Sequence, residues 1–176
     1  VPPIAFNSNN SPSPYEAITD SQARTARRAY YAATTGMDEQ VGRLLTALES
    51  LGLSETTAIL LHGDNGFQLG ERAGWLKNAN WESAVRVPFI MAVPWLGAAA
   101  TQGAHTSALA ELVDVLPTLA ELAGVSVPGA LPGDAAQPPE GTSLVPILTN
   151  PNGTSVKSYA FSQYPRKPKD GEPDWE

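Results

Sequence analysis

The chain has 176 residues, of which 42% are hydrophobic and 16% charged, and its formal net charge is −7. This composition predicts a folded protein with a sizeable core. The acidic balance argues against a nucleic-acid partner, because a basic surface is needed to displace counterions from phosphates. Since the chain contains no cysteine, it can form neither a disulfide nor a thiolate metal site.

No apolar run approaches the roughly 20 residues that a membrane-spanning helix needs, so no span is predicted. The chain begins at Val1-Pro2-Pro3, without an initiator methionine or a signal peptide. We therefore expect it to be an internal piece of a larger protein.

A long amphipathic helix is predicted from Asp20 to just before Gly52, after an irregular lead-in over residues 1–19. Apolar residues recur there at steps of three and four, which is typical of a helix with one buried face. Thr19 or Asp20 can cap its start, and Gly36 can kink its middle. A cluster of arginines in this helix is interpreted as a solvated face: Arg24, Arg27 and Arg28.

Two strands are predicted next, over residues 57–61 and 87–93, separated by a long loop with one helical turn. The first has no polar alternation, which favours a central strand covered on both faces. Pro88 lies near the start of the second, where a missing backbone donor is tolerated.

A second helix is predicted over residues 107–123, with a kink or break at Pro117 and an end at Gly124. A proline-rich loop, an apolar segment over 143–148 and a strand-like segment over 158–162 follow. This order of helices and strands is typical of an α/β layered fold.

The candidate site lies immediately after the first predicted strand, at Asp64-Asn65-Gly66. Loops that leave the carboxyl ends of strands are where α/β proteins bind ligands. A carboxylate beside a carboxamide supplies two hard oxygen ligands, suited to Ca²⁺ or Mg²⁺. Lys77, 13 positions after Asp64, can hold an anion. Asp-Asn-Gly is also a common turn, so a plain turn remains an alternative on these residues alone.

The ordered set of residues around this tripeptide resembles the second metal-binding motif of the sulfatase family: Asp64–Gly66, Leu69–Glu71, Lys77 and Arg86–Pro88. Further segments are similar to the family's flanking helices and later loops: residues 30–32, 37–45, 112–120, 141–144 and 161–166. The last of these, with the interval from Asp64 to Lys77, is most similar to the iduronate-2-sulfatase branch.

The resemblance implies an α/β fold, part of a mixed sheet flanked by helices as in sulfatases and alkaline phosphatases. Residues 1–158 would form the C-terminal part of the main domain. Residues 159–176 would begin a smaller C-terminal subdomain.

The resemblance also implies roles at the site. Asp64 and Asn65 would ligate calcium, while Lys77 would contact the sulfate and stabilise the bridging oxygen as the ester breaks. The family's nucleophile is a formylglycine made from the cysteine of a Cys-x-Pro-x-Arg motif. That motif would lie in the missing N-terminal half, the implied partner of this chain, so the chain alone is expected to be inactive. The substrate would be a sulfated small molecule or glycan.

Some residues depart from the family pattern. Arg72 and Ala73 stand where many members have His-Gly, and His62 and Gly63 stand where small hydroxyl residues are usual. His62 is more simply a strand-end histidine satisfied by its neighbours than a catalytic group.

Two alternative functions remain open: a phosphate or phosphonate ester hydrolase of the same superfamily, and a non-catalytic binding or structural protein that keeps the fold. Trp75 could form an apolar wall for a sugar ring or could pack within the loop. Asn152-Gly153-Thr154 fits the N-glycosylation sequon. The expected location is the secretory pathway, extracellular or lysosomal, or the periplasm of a bacterium.

Overall fold

The computed structural model describes residues 18–77, 79–97, 103–125 and 140–163. Most of the predicted lead-in and of the proline-rich loop lies outside these ranges. The helices are α1 Asp20–Ser50, α2 Glu82–Val85, α3 Val115–Leu122 and α4 Val145–Thr149. The strands are β1 Ile59–His62, β2 Gln68–Leu69, β3 Trp75–Leu76 and β4 Phe89–Ala92. Among the described helices, none combines the length and the apolar character needed to cross a membrane.

Helix α1 forms where the periodicity predicts it and runs for 31 residues. Thr19 caps it: the Gln22 N–H donates to Thr19 Oγ1 at 3.3 Å, and the Thr19 N–H donates to Gln22 Oε1 at 2.8 Å. This reciprocal pair satisfies orphan donors at the helix start. The helix continues through Gly36 without a break, so the predicted kink is wrong. Gly52, just beyond the end, has φ +66°, as a glycine stop requires.

The apolar side of α1 is largely uncovered by the described residues. Tyr31 is 59% exposed, Met37 48% and Leu44 66%, and no residue of the helix is fully buried. An amphipathic helix of this length gains its stability chiefly by burying its apolar face.

The described residues fall into two compact units. One contains residues 18–42, 63–77, 79–88 and 162–163, and it holds the β2–β3 hairpin and α2. The other contains residues 43–62, 89–97, 103–125 and 140–161, and it holds β1, β4, α3 and α4.

Strands β1 and β4 pair antiparallel, with Ile59 opposite Ala92 and His62 opposite Phe89. Both predicted strands therefore form, and Pro88 immediately precedes β4. The expectation that β1 is a covered central strand is wrong for the described part of the chain, where β4 is its one neighbour. The last two residues of β1 are exposed there, because nothing in the described ranges supplies a second layer.

Helix α3 begins later than predicted. A 3₁₀ turn over Leu112–Asp114 leads into it, and residues 107–111 are not helical. Glu111 and Asp114 form a capping box that fixes the start. Pro117 consequently falls in the first turn of α3, where its missing N–H breaks no helical bond. The predicted end at Gly124, with φ +66°, is confirmed.

The core of the second unit lies where α3 and α4 meet. The Thr118 hydroxyl donates to Asp114 O at 2.6 Å and accepts the Leu144 N–H at 2.9 Å. Leu144 and Ile147, in the predicted apolar segment, are buried. The described residues of the segment predicted as strand-like, 158–162, take part in no sheet.

A buried charge cluster joins three segments of this unit. Lys157 Nζ lies 2.7 Å from carboxylate oxygens of both Glu111 and Asp114. Asp114 is fully buried and also accepts the Thr142 N–H at 2.8 Å. Burial acts to lower the pKa of Lys157, but its hydrogen bonds to Asp114 and Glu111 outweigh burial and raise that pKa. The hydrogen bond from Lys157, followed by the Phe161 N–H, lowers the pKa of Glu111.

Candidate functional site

The loop between β1 and β4 is held by backbone bonds at both of its ends. The Gly63 N–H donates to Pro88 O at 3.1 Å, and the Gly66 N–H donates to Ala84 O at 2.9 Å. A side chain at Gly66 would overlap the Ser83 carbonyl oxygen. The absence of a Cβ therefore lets the segment after Asp64 lie directly against α2.

Asp64 and Lys77, the two charged residues that the sequence singles out, lie together. Lys77 Nζ is 3.8 Å from Asp64 Oδ2, and their side chains are 46% and 84% exposed. A hydrogen bond from the Asn65 side chain, followed by the charge of Lys77, lowers the pKa of Asp64. The carboxylate, the carboxamide and the ammonium thus form one open cluster.

A short hairpin connects the two halves of this cluster. Leu69 in β2 pairs with Trp75 in β3, and Gln68 pairs with Leu76. The Gly70 N–H donates to Gly74 O at 2.9 Å, and Glu71 Oε2 accepts the Leu69 N–H at 2.6 Å. Lys77 therefore follows directly from a hydrogen-bonded strand.

Two aromatic contacts attach α1 to this loop. Tyr30 stacks on Phe67 with ring centroids 4.9 Å apart, and the Arg27 guanidinium lies over the Trp75 ring at 5.7 Å. Arg27 also donates from Nε to Leu69 O at 2.8 Å. Arg27 is exposed, as predicted for this cluster, and these contacts to the hairpin are an addition that the prediction did not include. The sequence held no signal for this contact, since it joins residues 42 positions apart.

Backbone strain is concentrated near Lys77. Arg72 has φ 55° and Leu76 has φ 69°, the two non-glycine positive values among the described residues. The Arg72 guanidinium lies 4.9 Å from the ring centre of Trp81. Left-handed non-glycine residues persist where the surroundings impose them, and they concentrate at functional sites.

Asp64 and Asn65 supply part of the set of oxygen donors that a hard cation needs. Asp64 and Asn65 offer two adjacent oxygen ligands, of the type that calcium and magnesium prefer. Within the described ranges, no group of three or more histidine, aspartate or glutamate residues could hold a metal ion. Because calcium takes six to eight oxygens, the pair fits one part of such a shell.

The other candidate residues make different contacts. Trp75 is half-buried, with Arg27 against its ring. His62 lies near the Phe89 ring, with centroids 6.5 Å apart. Asn152 is exposed at a turn in which the Gly153 N–H donates to Asn150 O at 2.9 Å.

Comparison with known proteins gives consistent matches. The family profile described as Sulfatase matches residues 4–125. Iduronate 2-sulfatase of Mus musculus is 34% identical over 94% of this chain and 38% of its own length.

Two solved structures have a similar fold. One, of a protein in complex with its substrate D-glucosamine-2-N,6-O-disulfate, matches with a TM-score of 0.68 and 29% identity, over 86% of this chain and 30% of its own. The other, a phosphonate monoester hydrolase from Silicibacter pomeroyi, matches with a TM-score of 0.65 and 28% identity, over 82% of this chain and 26% of its own. The fold predicted from the sequence is thereby confirmed. The chain spans less than two-fifths of the length of these relatives.

Proposed function

This chain belongs to the sulfatase family, and we propose that it is the C-terminal portion of an enzyme that hydrolyses sulfate esters. The observation that carries the proposal is the Asp64–Asn65–Lys77 cluster, with Lys77 Nζ 3.8 Å from Asp64 Oδ2. Oxygen atoms that can bind a metal ion, next to the Lys77 ammonium, suit a reaction in which an anionic substrate group is held and its negative charge is stabilised.

In the proposed enzyme, Asp64 and Asn65 supply ligands to calcium, which when bound polarises sulfate oxygens and favours ionisation of the nucleophile. Lys77 binds the sulfate group. As the ester bond breaks, the Lys77 ammonium stabilises the negative charge that develops on the bridging oxygen. Trp75 offers an aromatic edge to the sugar of the substrate.

The nucleophile is proposed to be a formylglycine in the N-terminal part of the same polypeptide. This chain contains no cysteine from which formylglycine could be made. Iduronate 2-sulfatase of Mus musculus is matched over 38% of its length, so a longer polypeptide has room for that motif. We propose that the N-terminal part also covers the exposed apolar side of α1.

The proposed substrate is a sulfated sugar or polysaccharide. Two relatives support this class: one is named iduronate 2-sulfatase, and one is solved with a disulfated glucosamine as its substrate.

The proposed location is the secretory pathway, with Asn152 glycosylated. The exposure of Asn152 at a turn supports this, because an acceptor must be reachable by the modifying enzyme. Secretion from a eukaryotic host should give a protein whose mass falls on glycosidase treatment. Asn152→Gln should remove that fall, and an unchanged digest would contradict the proposal.

The division of the chain is also a proposal. Residues 1–158 belong to the main domain, and the smaller C-terminal subdomain begins near residue 159. Limited proteolysis of the natural polypeptide should then cut near this boundary before it cuts within β1 or β4.

The test uses the full natural polypeptide with 4-methylumbelliferyl sulfate, the matching phosphate and a phosphonate monoester as probes. Preference for the sulfate, with Lys77→Ala reducing it, is the expected result. Peptide mapping should find an upstream cysteine converted to formylglycine.

The similarity to a phosphonate monoester hydrolase favours one second candidate, hydrolysis of phosphonate or phosphate esters. Preference for the phosphonate probe would select it. No turnover of any probe, with neither the nucleophile nor further aspartate ligands upstream, would select a non-catalytic binding protein.

A further inference from the structure

Arg27 reaches from α1 to the hairpin that precedes Lys77. Its Nε donates to Leu69 O at 2.8 Å, and its guanidinium lies over the Trp75 ring at 5.7 Å. Leu69 and Trp75 are partners in the β2–β3 ladder. A single side chain therefore contacts both strands of the hairpin.

Gly70 completes this contact. Its φ of +112° is a conformation that favours glycine, and a Cβ there would lie 2.7 Å from Arg27 Nη2 and 3.2 Å from Trp75 Cζ2. A side chain at this position would therefore crowd both the guanidinium and the Trp75 ring. Arg27, Gly70 and Trp75 are hereafter called the arginine clamp.

The clamp lies two residues from the proposed sulfate ligand. Lys77 follows Trp75 and Leu76, and Leu76 has φ 69°. A strained residue keeps its conformation only when its neighbours fix it. On one side of Leu76 that constraint comes from Trp75, which Arg27 holds against the hairpin.

We propose that Arg27 is a positioning residue that fixes the direction of the Lys77 side chain for binding of the substrate's sulfate group. This inference rests on the proposed function, because it takes Lys77 to be the sulfate ligand. Arg27 acts through the hairpin rather than by touching the substrate. A lysine could not replace Arg27 fully, because its ammonium lacks the planar guanidinium group, which stacks on Trp75 and donates to Leu69 O at the same time.

The first experiment measures inhibition by inorganic sulfate and the kinetics of 4-methylumbelliferyl sulfate in the full natural polypeptide. Arg27→Gln should raise the inhibition constant for sulfate roughly tenfold, because a small misplacement of a binding group weakens it strongly. Arg27→Lys should restore part of the loss. Arg28→Gln is the matched control, since it removes the same charge from an exposed neighbour on α1.

A double-mutant cycle separates positioning from general stability. If Arg27 acts through Lys77, Arg27→Gln should weaken sulfate inhibition much less in a Lys77→Ala background than in the parent. Equal losses in both backgrounds, or losses equal to those of Arg28→Gln, would overturn the inference.

Hydrogen exchange tests the clamp independently of any activity. Arg27→Gln should accelerate exchange of the Gly70 and Gly74 amides, which close the hairpin turn, whereas Arg28→Gln should not. Unchanged exchange would overturn the inference even in an active sulfatase. A parent enzyme that hydrolyses no sulfate ester would instead refute the proposed function. The exchange result would still show whether the clamp holds the hairpin.

Discussion

Lys77 Nζ lies 3.8 Å from Asp64 Oδ2, although the two residues are separated by a complete hairpin. The β2–β3 pairing folds the intervening residues back on themselves, so the proposed calcium ligand faces the proposed sulfate ligand. Because both side chains are well exposed, their attraction adds little to stability.

Lys77→Ala should reduce kcat/KM for a sulfate ester by about 10²–10³, the usual loss when one group that stabilises developing negative charge is removed. The melting temperature should change little, because Lys77 is exposed. Steady-state kinetics of the full natural polypeptide provide the measurement, with Arg24→Gln as the control. Equal activity in the two variants would contradict the role of Lys77.

Asp64→Asn should weaken calcium binding at least about tenfold, because it removes a charged oxygen ligand from the proposed shell. Calcium should raise the melting temperature of the full parent protein, since a ligand that binds only the folded state stabilises it. That rise should largely disappear in Asp64→Asn. Asp38→Asn, an exposed change on α1, should retain it. An unaltered rise in the Asp64 variant would place the metal elsewhere.

Gly66→Ala should destabilise the site loop by about 1–3 kcal/mol, because a Cβ would overlap the Ser83 carbonyl oxygen and force the loop away from α2. Gly36→Ala is the matched control: nothing lies within 4 Å of its added Cβ, and alanine favours the helix by about 1 kcal/mol. Thermal unfolding of both variants is the measurement. A loss of stability at Gly36 as large as that at Gly66 would refute the packing argument.

The sequence predicts which segments form helices and strands better than it predicts what those segments contact. Local periodicity and capping groups locate α1 closely, because the apolar repeat at steps of three and four continues along most of its 31 residues. Asp64, Asn65 and Lys77 are candidates because they belong to an ordered motif. The Arg27 contact is not predicted from the sequence, because a hydrogen bond to a backbone carbonyl in a distant hairpin leaves no pattern on a helix.

Pro117 shows a second limit of such predictions. The apolar pattern extends back to residue 107, yet the helix begins after the capping box of Glu111 and Asp114. Proline fits the first turn of a helix and disrupts its interior, so the cap and the proline together determined the start. Hydrophobic periodicity alone does not account for the effects of the capping box and of the proline on where the helix begins.

Lys157→Met should lower the free energy of unfolding of the second unit by about 3–5 kcal/mol, because it leaves the buried carboxylate of Asp114 without its counter-charge. Hydrogen exchange at the Thr142 amide reports this directly, since that amide donates to Asp114. Lys157→Arg should retain more stability than Lys157→Met. If exchange at Thr142 is unchanged by Lys157→Met, the cluster contributes no net stability.

The stabilisation by this cluster should depend on pH at both ends of the range. Because folding lowers the pKa of Glu111 from its ordinary 4.5, its contribution is complete above that value and disappears as the pH falls through the lowered pKa. Folding raises the pKa of Lys157 from its ordinary 10.5, so its contribution is complete below that value and is lost as the pH rises through the raised pKa. The stability difference between the parent and Lys157→Met should therefore be greatest between these two ordinary pKa values and decline on either side. Urea titrations across that range measure it, and a difference that stays constant into strong acid would show that Glu111 is not coupled to Lys157.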